Sequence, residues 1–434
     1  MLSTENVPTG VFPYRYFMDD LPNGLRAITV PTDFPNLVAL YIVVRAGSRN
    51  EVEPGRSGFA HLFEHLMFRG TERFSSEKYD EVMKLAGADR NAYTTDDLTA
   101  YHVVFSKEDI ETIMDLEADR FQNLDVPVEL FKTETKAVLG EYNKNSSNPV
   151  NKLIEVLRDT AFESHPYKHT TMGFLRDIER MPEMYDYSKL FFRRYYRPEY
   201  TTLIVVGDVV HEEVASLVKK YWGYWTRGDY VPEIPQEPEQ TSERVEHVAW
   251  PVPTLPWVVV SYKGPPYSDE QKDMPAMDLM GNLGFSKTSE LYQRLVIKEQ
   301  KVDLLFYSFD DRLDPYLLTA GARVKDIKDL DYVRREIVRT FESYKTALQD
   351  EQKLNAVKSH LRYSFSLGLD NSEAIAAVLA PYVALRQTPE TINRLYEVYA
   401  SITQDDIREM AAKYFVEHHR TTVTLSHDDH KSTR

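Results

Sequence analysis

Two histidines and a glutamate, His61, Glu64 and His65, sit inside HLFEHLMFRG, an otherwise apolar stretch with helical periodicity. At about 100° per residue, Phe59, Leu62, Phe63, Leu66 and Met67 take the spacing i, i+3, i+4, i+7, i+8 and form a core-facing stripe. His61, Glu64 and His65 fall together on the other face. Histidines at i and i+4 are one turn apart, close enough for two imidazoles to hold one tetrahedral metal ion. A metal lowers the pKa of its water toward about 7 and makes it a nucleophile. A carboxylate in the position of Glu64 could take that proton and later pass it to a leaving amine. The same three residues would also serve as the solvent face of an amphipathic helix.

A catalytic zinc usually has three protein ligands, so a third is expected. The segment ELFKTETKAVLGEYNKN (129–145) puts Glu134, Val138 and Glu141 on one helical face with Leu130 and Phe131, and Lys132 and Lys136 on the other. Carboxylates on an inward face are costly unless partnered. A metal with its hydrogen-bonded shell would relieve that cost, and so would salt bridges to buried arginines.

The elements that must position these groups can be read along the chain. YRYFM and LRAITV flank the turn signal Pro22-Asn23-Gly24 and read as a hairpin. LVALYIVV (37–44) reads as a more buried strand, followed by a polar loop and helices. YHVVF (101–105) is a strand, 108–122 a helix, about 129–143 a further helix, and TTLIVVGDV (201–209) a strand. VPEIPQEPEQTSE, rich in Pro and Glu, reads as a linker. We divide the chain into a metal-binding half at 1–230, a linker at 231–246 and a related second half at 247–434. RRYYRPEYTTLIVVGD can be laid on AKYFVEHHRTTVTLSHD, and GFAHLFEHLMF on PAMDLMGNLGF (275–285), where both histidines and the glutamate are missing. That pattern suggests an internal duplication with chemistry in the first copy only.

The chain has 434 residues, no cysteine and a net charge of -16, with pI ≈ 5.3 and a mean hydropathy of -0.46. Disulfides, Cys-metal sites and cysteine nucleophiles are excluded. The negative charge disfavours nucleic-acid binding and is compatible with cationic peptides. LVALYIVV is the longest apolar run, far short of the roughly 20 residues of a membrane span. The opening MLSTENVPTGVFPYRYF shows no charged n-region followed by an apolar one, so no signal peptide is expected. These features suit the cytoplasm, or the periplasm if a signal has been trimmed.

HLFEHLMFRG followed by ETKAVLGE closely resembles the pitrilysin/insulinase family, the inverted zincins, whose signature is H-x-x-E-H. The resemblance extends over most of the chain, and within the family it is nearest to the metal-bearing subunits of bacterial or mitochondrial two-chain members. Glu141 stands 76 residues after His65, the distance at which the family carries its third ligand. The resemblance therefore implies one zinc ion per chain on His61, His65 and Glu141, with Glu64 as general base and then acid. Glu134 matches a further acidic residue that supports the catalytic centre by orienting a ligand. GADRNAYTTDDLTAYH (87–102) looks like the family's edge strand. Asn91, Ala92, Tyr93 and Thr94 would line the cleft and pair with an extended peptide through its backbone. The implied fold is α+β: two homologous halves, each a mainly antiparallel sheet with helices packed on one face, together enclosing a cleft. DLEADRFQNL, HPYKHTTMGF and YYRPEYTTLIVVGD match family landmarks and read as scaffold.

The sequence departs from the family in the second half. Many members carry an arginine and a tyrosine there that grip the substrate backbone. Here SELYQRL keeps the lead-in, but VIKEQKVDLLFY follows, and neither Arg294 nor Tyr307 is an equivalent. The implied activity is a zinc endopeptidase for short or unfolded peptides, with a second homologous subunit, in a hetero-dimer or homo-dimer, supplying the clamp. A presequence-processing subunit, a non-catalytic scaffold subunit and a metal hydrolase of non-peptide substrates are the alternatives. His165 and His169, at i and i+4 in HPYKH, are a weaker candidate metal pair. The tail SHDDHKSTR reads as mobile and incidental.

Overall fold

The computed structural model of the chain describes residues 1–427; most of the tail, from Asp428, lies outside the described residues. It forms two units. The first comprises Met1–Asn143, His169–Pro235 and Phe365–Asn393, and the second Lys144–Lys168, Gln236–Ser364 and the chain from Arg394.

The first unit is built on a seven-stranded sheet. Its strands are β1 (Leu2–Asn6), β2 (Tyr16–Asp20), β3 (Arg26–Pro31), β4 (Leu37–Val44), β5 (Asp89–Thr94), β6 (Thr99–Ser106) and β7 (Thr201–Gly207). They lie in the order β1-β2-β3-β7-β4-β6-β5. β3 and β7 are parallel, and every other pair is antiparallel. β5 therefore lies at the edge, paired with β6 alone among the described residues.

The second unit carries a five-stranded sheet of β8 (Arg244–Ala249), β9 (Trp257–Lys263), β10 (Val302–Phe309), β11 (Leu317–Val324) and β12 (Arg420–Ser426), in the order β10-β11-β9-β12-β8. β8 and β12 are parallel and the rest antiparallel. Read from β3 and from β8, the two sheets share strand order and direction. The duplication suggested by the sequence is thus present in the topology.

The first five α-helices are α1 (Phe59–Leu66), α2 (Ser76–Leu85), α3 (Ile110–Asn123), α4 (Val128–Ser146) and α5 (Pro149–Ala161). α1 packs on β5 and β6. Val38, Leu40, Ile42 and Val44 of β4 join Phe59, Leu62 and Phe63 of α1 in one core. Ala39, Tyr41 and Val43 point the other way and are buried too, because the helix Ser372–Arg386 packs on β4 and β7. The first sheet is therefore covered on both faces at β4, not on the single face expected, and a strand so covered has no polar side, which explains the unbroken apolar run of LVALYIVV. In the second unit α5 packs on β8 and β12, with Leu153, Leu157 and Ala161 against Val248, Val423 and Leu425. Each sheet is thus covered by a helix drawn from the other half of the sequence. No helix among the described residues is long and apolar enough to cross a membrane.

Candidate metal centre

The metal-site helix is held at its N-terminus by a group the sequence reading did not single out. Gly58 precedes α1 with φ of 93°, a left-handed conformation that favours glycine. The buried Glu51 carboxylate accepts from the backbone N–H groups of Gly58 and Ala60, both at 2.7 Å. It thereby satisfies donors that a first helical turn leaves free. Burial pushes the Glu51 carboxyl up to about 8, against the pull of those two N–H donors. At the other end, the Tyr101 hydroxyl of β6 donates to the Phe63 carbonyl at 3.0 Å.

α1 and α4 bring the three expected ligands together. Nε2 of His61 lies 3.7 Å from Oε2 of Glu141, and Nε2 of His65 lies 3.5 Å from the same oxygen. The two imidazoles are nearly perpendicular, with centroids 5.0 Å apart. Ligands about 2.0–2.1 Å from a tetrahedral zinc would stand roughly 3.3 Å from one another. The donor set fits a zinc-class ion after shifts of a few tenths of an ångström. Burial, with the neighbouring His65, lowers the His61 pKa to about 4. His61 is thus held in the neutral form that a metal requires.

Behind this triad stands Glu134, nearly inaccessible to solvent. Its Oε2 is 3.7 Å from Nδ1 of His65, and it takes two contacts from Arg69, at 2.9 Å from Nε and 3.1 Å from Nη2. The Glu134 carboxylate raises the His65 pKa despite burial. Burial opposes ionisation of Glu134, yet His65 and Arg69 together lower its pKa. A carboxylate on the rear nitrogen of an imidazole fixes the ring's tautomer and aim. Of the two expected ways of relieving the inward carboxylates, the arginine is seen at Glu134, paired with the half-buried Arg69, while Glu141 faces the two histidines. Arg69, four residues after His65, carried a legible i, i+4 signal that the sequence reading did not use.

Glu64 sits between the triad and the edge strand. Its Oε2 accepts from the Thr94 hydroxyl at 2.8 Å, and burial raises its pKa. The arrangement supplies a partly buried carboxylate beside a metal-competent triad, held in one rotamer by a strand residue. On β5, Asn91 is exposed, Ala92 is buried, and Tyr93 and Thr94 are half-buried. The Asn91 side chain accepts from the Ala92 N–H at 2.9 Å, so that amide does not stand bare.

The second unit lacks this chemistry at the matching place. The helix Asp273–Phe285 packs on β10 much as α1 packs on β5, and the aligned positions hold Asp278, Gly281 and Asn282. A Cβ on Gly281 would lie 2.4 Å from the Tyr307 ring, so Tyr307 fills the space that a Glu64 counterpart would need. Arg294 is bound to Glu336 and, at 3.0 Å, to the Tyr332 hydroxyl. His165 pairs with Asp314 at 2.9 Å and His169 contacts the Thr170 carbonyl at 2.9 Å. The HPYKH pair does not converge into a metal-ligand group.

Residues 27–174 match the family model described as insulinase, peptidase family M16, and residues 185–361 match the peptidase M16 inactive domain. The zinc protease PqqE of Helicobacter pylori is 29% identical over 414 residues, covering 93% of this chain and 91% of that protein. The beta subunit of the mitochondrial-processing peptidase of Caenorhabditis elegans is 24% identical over 424 residues, 94% of this chain and 89% of that one. The crystal structure of a protease from Helicobacter pylori is similar with a TM-score of 0.88 at 27% identity, over 95% of this chain and 100% of that chain.

Proposed function

The chain belongs to the insulinase peptidase family, M16, and from that premise we propose that it is a zinc-dependent endopeptidase of short or unfolded peptides. The observation that carries the reading is the convergence of both imidazole Nε2 atoms on one Glu141 oxygen, with Glu64 beside them. His61, His65 and Glu141 would hold one zinc ion, and Glu134 would aim His65 at it. Bound there, zinc supplies Lewis-acid activation of water and of the scissile carbonyl. Glu64 accepts the proton of the attacking water at a carboxylate oxygen and returns it to the leaving amine. The substrate adds to β5 as an extended strand, with Asn91, Ala92, Tyr93 and Thr94 along its path.

A two-chain variant of the reading is favoured by one observation. Arg294 is already committed to Glu336 and Tyr332, and Tyr307 is packed beside Gly281, which leaves neither as a substrate clamp. A second homologous subunit would supply it, as in a presequence-processing pair.

The test is hydrolysis of a quenched-fluorescent peptide library by the zinc-loaded chain alone, with Glu64→Gln as control. Cleavage by the wild type and not by the control supports a self-sufficient enzyme. Stoichiometric zinc without cleavage transfers the activity to a two-chain assembly. Cleavage that survives Glu64→Gln removes Glu64 from the chemistry and overturns the mechanism.

A further inference from the structure

A second group of metal-competent side chains lies outside the site described above. Glu239, His418 and His419 place ligand atoms within 4.8 Å of one another. His418 and His419 occupy a single 3₁₀ turn, Glu417–His419, immediately before β12. Their rings stand nearly perpendicular with centroids 4.5 Å apart, so neighbouring residues can present nitrogen atoms to one point. Nδ1 of His419 is buried and makes no hydrogen bond of standard geometry, and burial beside His418 lowers the His419 pKa, which favours the neutral ring that binds a metal.

The third member is brought there by a built framework. Glu239 belongs to the extended segment ahead of β8, more than 170 residues away in sequence. Its neighbour Gln240 is 3% exposed and donates to the carbonyls of Arg420 at 2.9 Å and Ser242 at 3.0 Å. Arg420, the residue after His419, in turn donates to Glu243 at 2.7 Å and to Glu417 at 3.3 Å. Residues 240–243 and 417–420 are therefore fastened together through Arg420, next to the three side chains. The site is pre-formed without an ion, which lowers the ordering cost of binding one.

We propose that Glu239, His418 and His419 form a second divalent-cation site of zinc class, tying the segment before β8 to the turn before β12. Two imidazoles and a carboxylate suit Zn²⁺, and also Cu²⁺ or Ni²⁺, over the hard ions Mg²⁺ and Ca²⁺. Glu239 is exposed, so the remaining coordination positions face solvent. This inference does not depend on the peptidase reading.

The test is zinc stoichiometry of the full chain, freed of metal and equilibrated with micromolar zinc, read by elemental analysis. The wild type is expected to hold two equivalents, His418→Ala/His419→Ala one, and His61→Ala/His65→Ala one. Glu239→Ala alters an exposed side chain alone and should weaken the second equivalent at least tenfold without changing the melting temperature of the metal-free chain. It keeps the test open if the histidine pair proves necessary for folding. A wild type whose zinc content is unchanged by the substitutions at 239, 418 and 419 overturns the proposal. A wild type with a single equivalent that persists in His61→Ala/His65→Ala and is lost in His418→Ala/His419→Ala would count against the ligands His61 and His65 and leave the second site standing.

Discussion

The hydroxyl of Thr94 donates to Oε2 of Glu64 at 2.8 Å, so the last residue of the edge strand is bonded to the carboxylate placed as general base. A side chain committed in this way is not free to grip a peptide. Thr94→Val keeps the β-branched shape and removes the donor. A hydrogen bond to a charged group contributes roughly 1.5–3 kcal/mol, so kcat is expected to fall about 10- to 100-fold. KM and zinc content should be little altered, and Thr94→Ser should retain most of the rate. A rise in KM at unchanged kcat would mean that the Thr94 side chain contacts the substrate directly and does not act through Glu64.

Glu134 is expected to act on metal affinity through His65. Glu134→Gln removes the charge behind Nδ1 and leaves Arg69 facing an amide. Zinc affinity should drop roughly 10- to 100-fold, measured by competition with a chromogenic chelator. Unchanged affinity would mean that Glu134 serves only to pair Arg69.

Glu51 links the position of α1 to pH. Its carboxyl is raised by burial from 4.5 to about 8, so the folded state holds a proton there that the unfolded chain has released. Its contribution to stability is full below about 4.5 and fades as pH rises through about 8. The fall in melting temperature between those limits should be shallower in Glu51→Gln than in the wild type. Parallel pH profiles for the two proteins would remove Glu51 as the source.

Arg120 and Glu117 form a fully buried ion pair, with Nε to Oε2 at 2.6 Å. The Tyr79 hydroxyl donates to Glu117 at 2.7 Å, and the guanidinium lies 4.8 Å from the Phe68 ring centroid and 5.1 Å from that of Tyr101. Arg120→Met strands the carboxylate and should destabilise the chain by about 3–5 kcal/mol in denaturant unfolding. Arg120→Lys should recover only part, because a point charge does not replace a planar group between rings. A loss below 1 kcal/mol for Arg120→Met would mean that Glu117 takes a proton instead.

Local pattern carried much of this architecture. The stripe of Phe59, Leu62, Phe63 and Leu66 is buried, and the polar face of α1 carries the triad's two histidines. The helix expected near 129–143 spans Val128–Ser146, with Glu134 and Glu141 both turned toward α1. What escaped depends on distant partners. No periodicity announces that Glu51 caps α1, since a capping carboxylate seven residues ahead in a loop looks like any other surface glutamate. The convergence of Glu239 with His418 and His419 needs the pairing of β8 with β12. The second cover over β4 was implicit in LVALYIVV, yet nothing in that run says which helix provides it.

That cover has a consequence for synthesis. The helix over β4 and β7 ends at Arg386, while the strands it protects are complete once Gly207 has been made. A nascent chain emerging from the ribosome therefore carries a sheet with one bare apolar face until most of the polypeptide has been translated. α5, made early, must likewise await β12 at the far end. The two repeats cannot mature one after the other, as independent tandem domains do. Cutting the coding sequence at the linker would yield two fragments that each lack a lid, and co-expression rather than separate expression would be required to recover a folded protein.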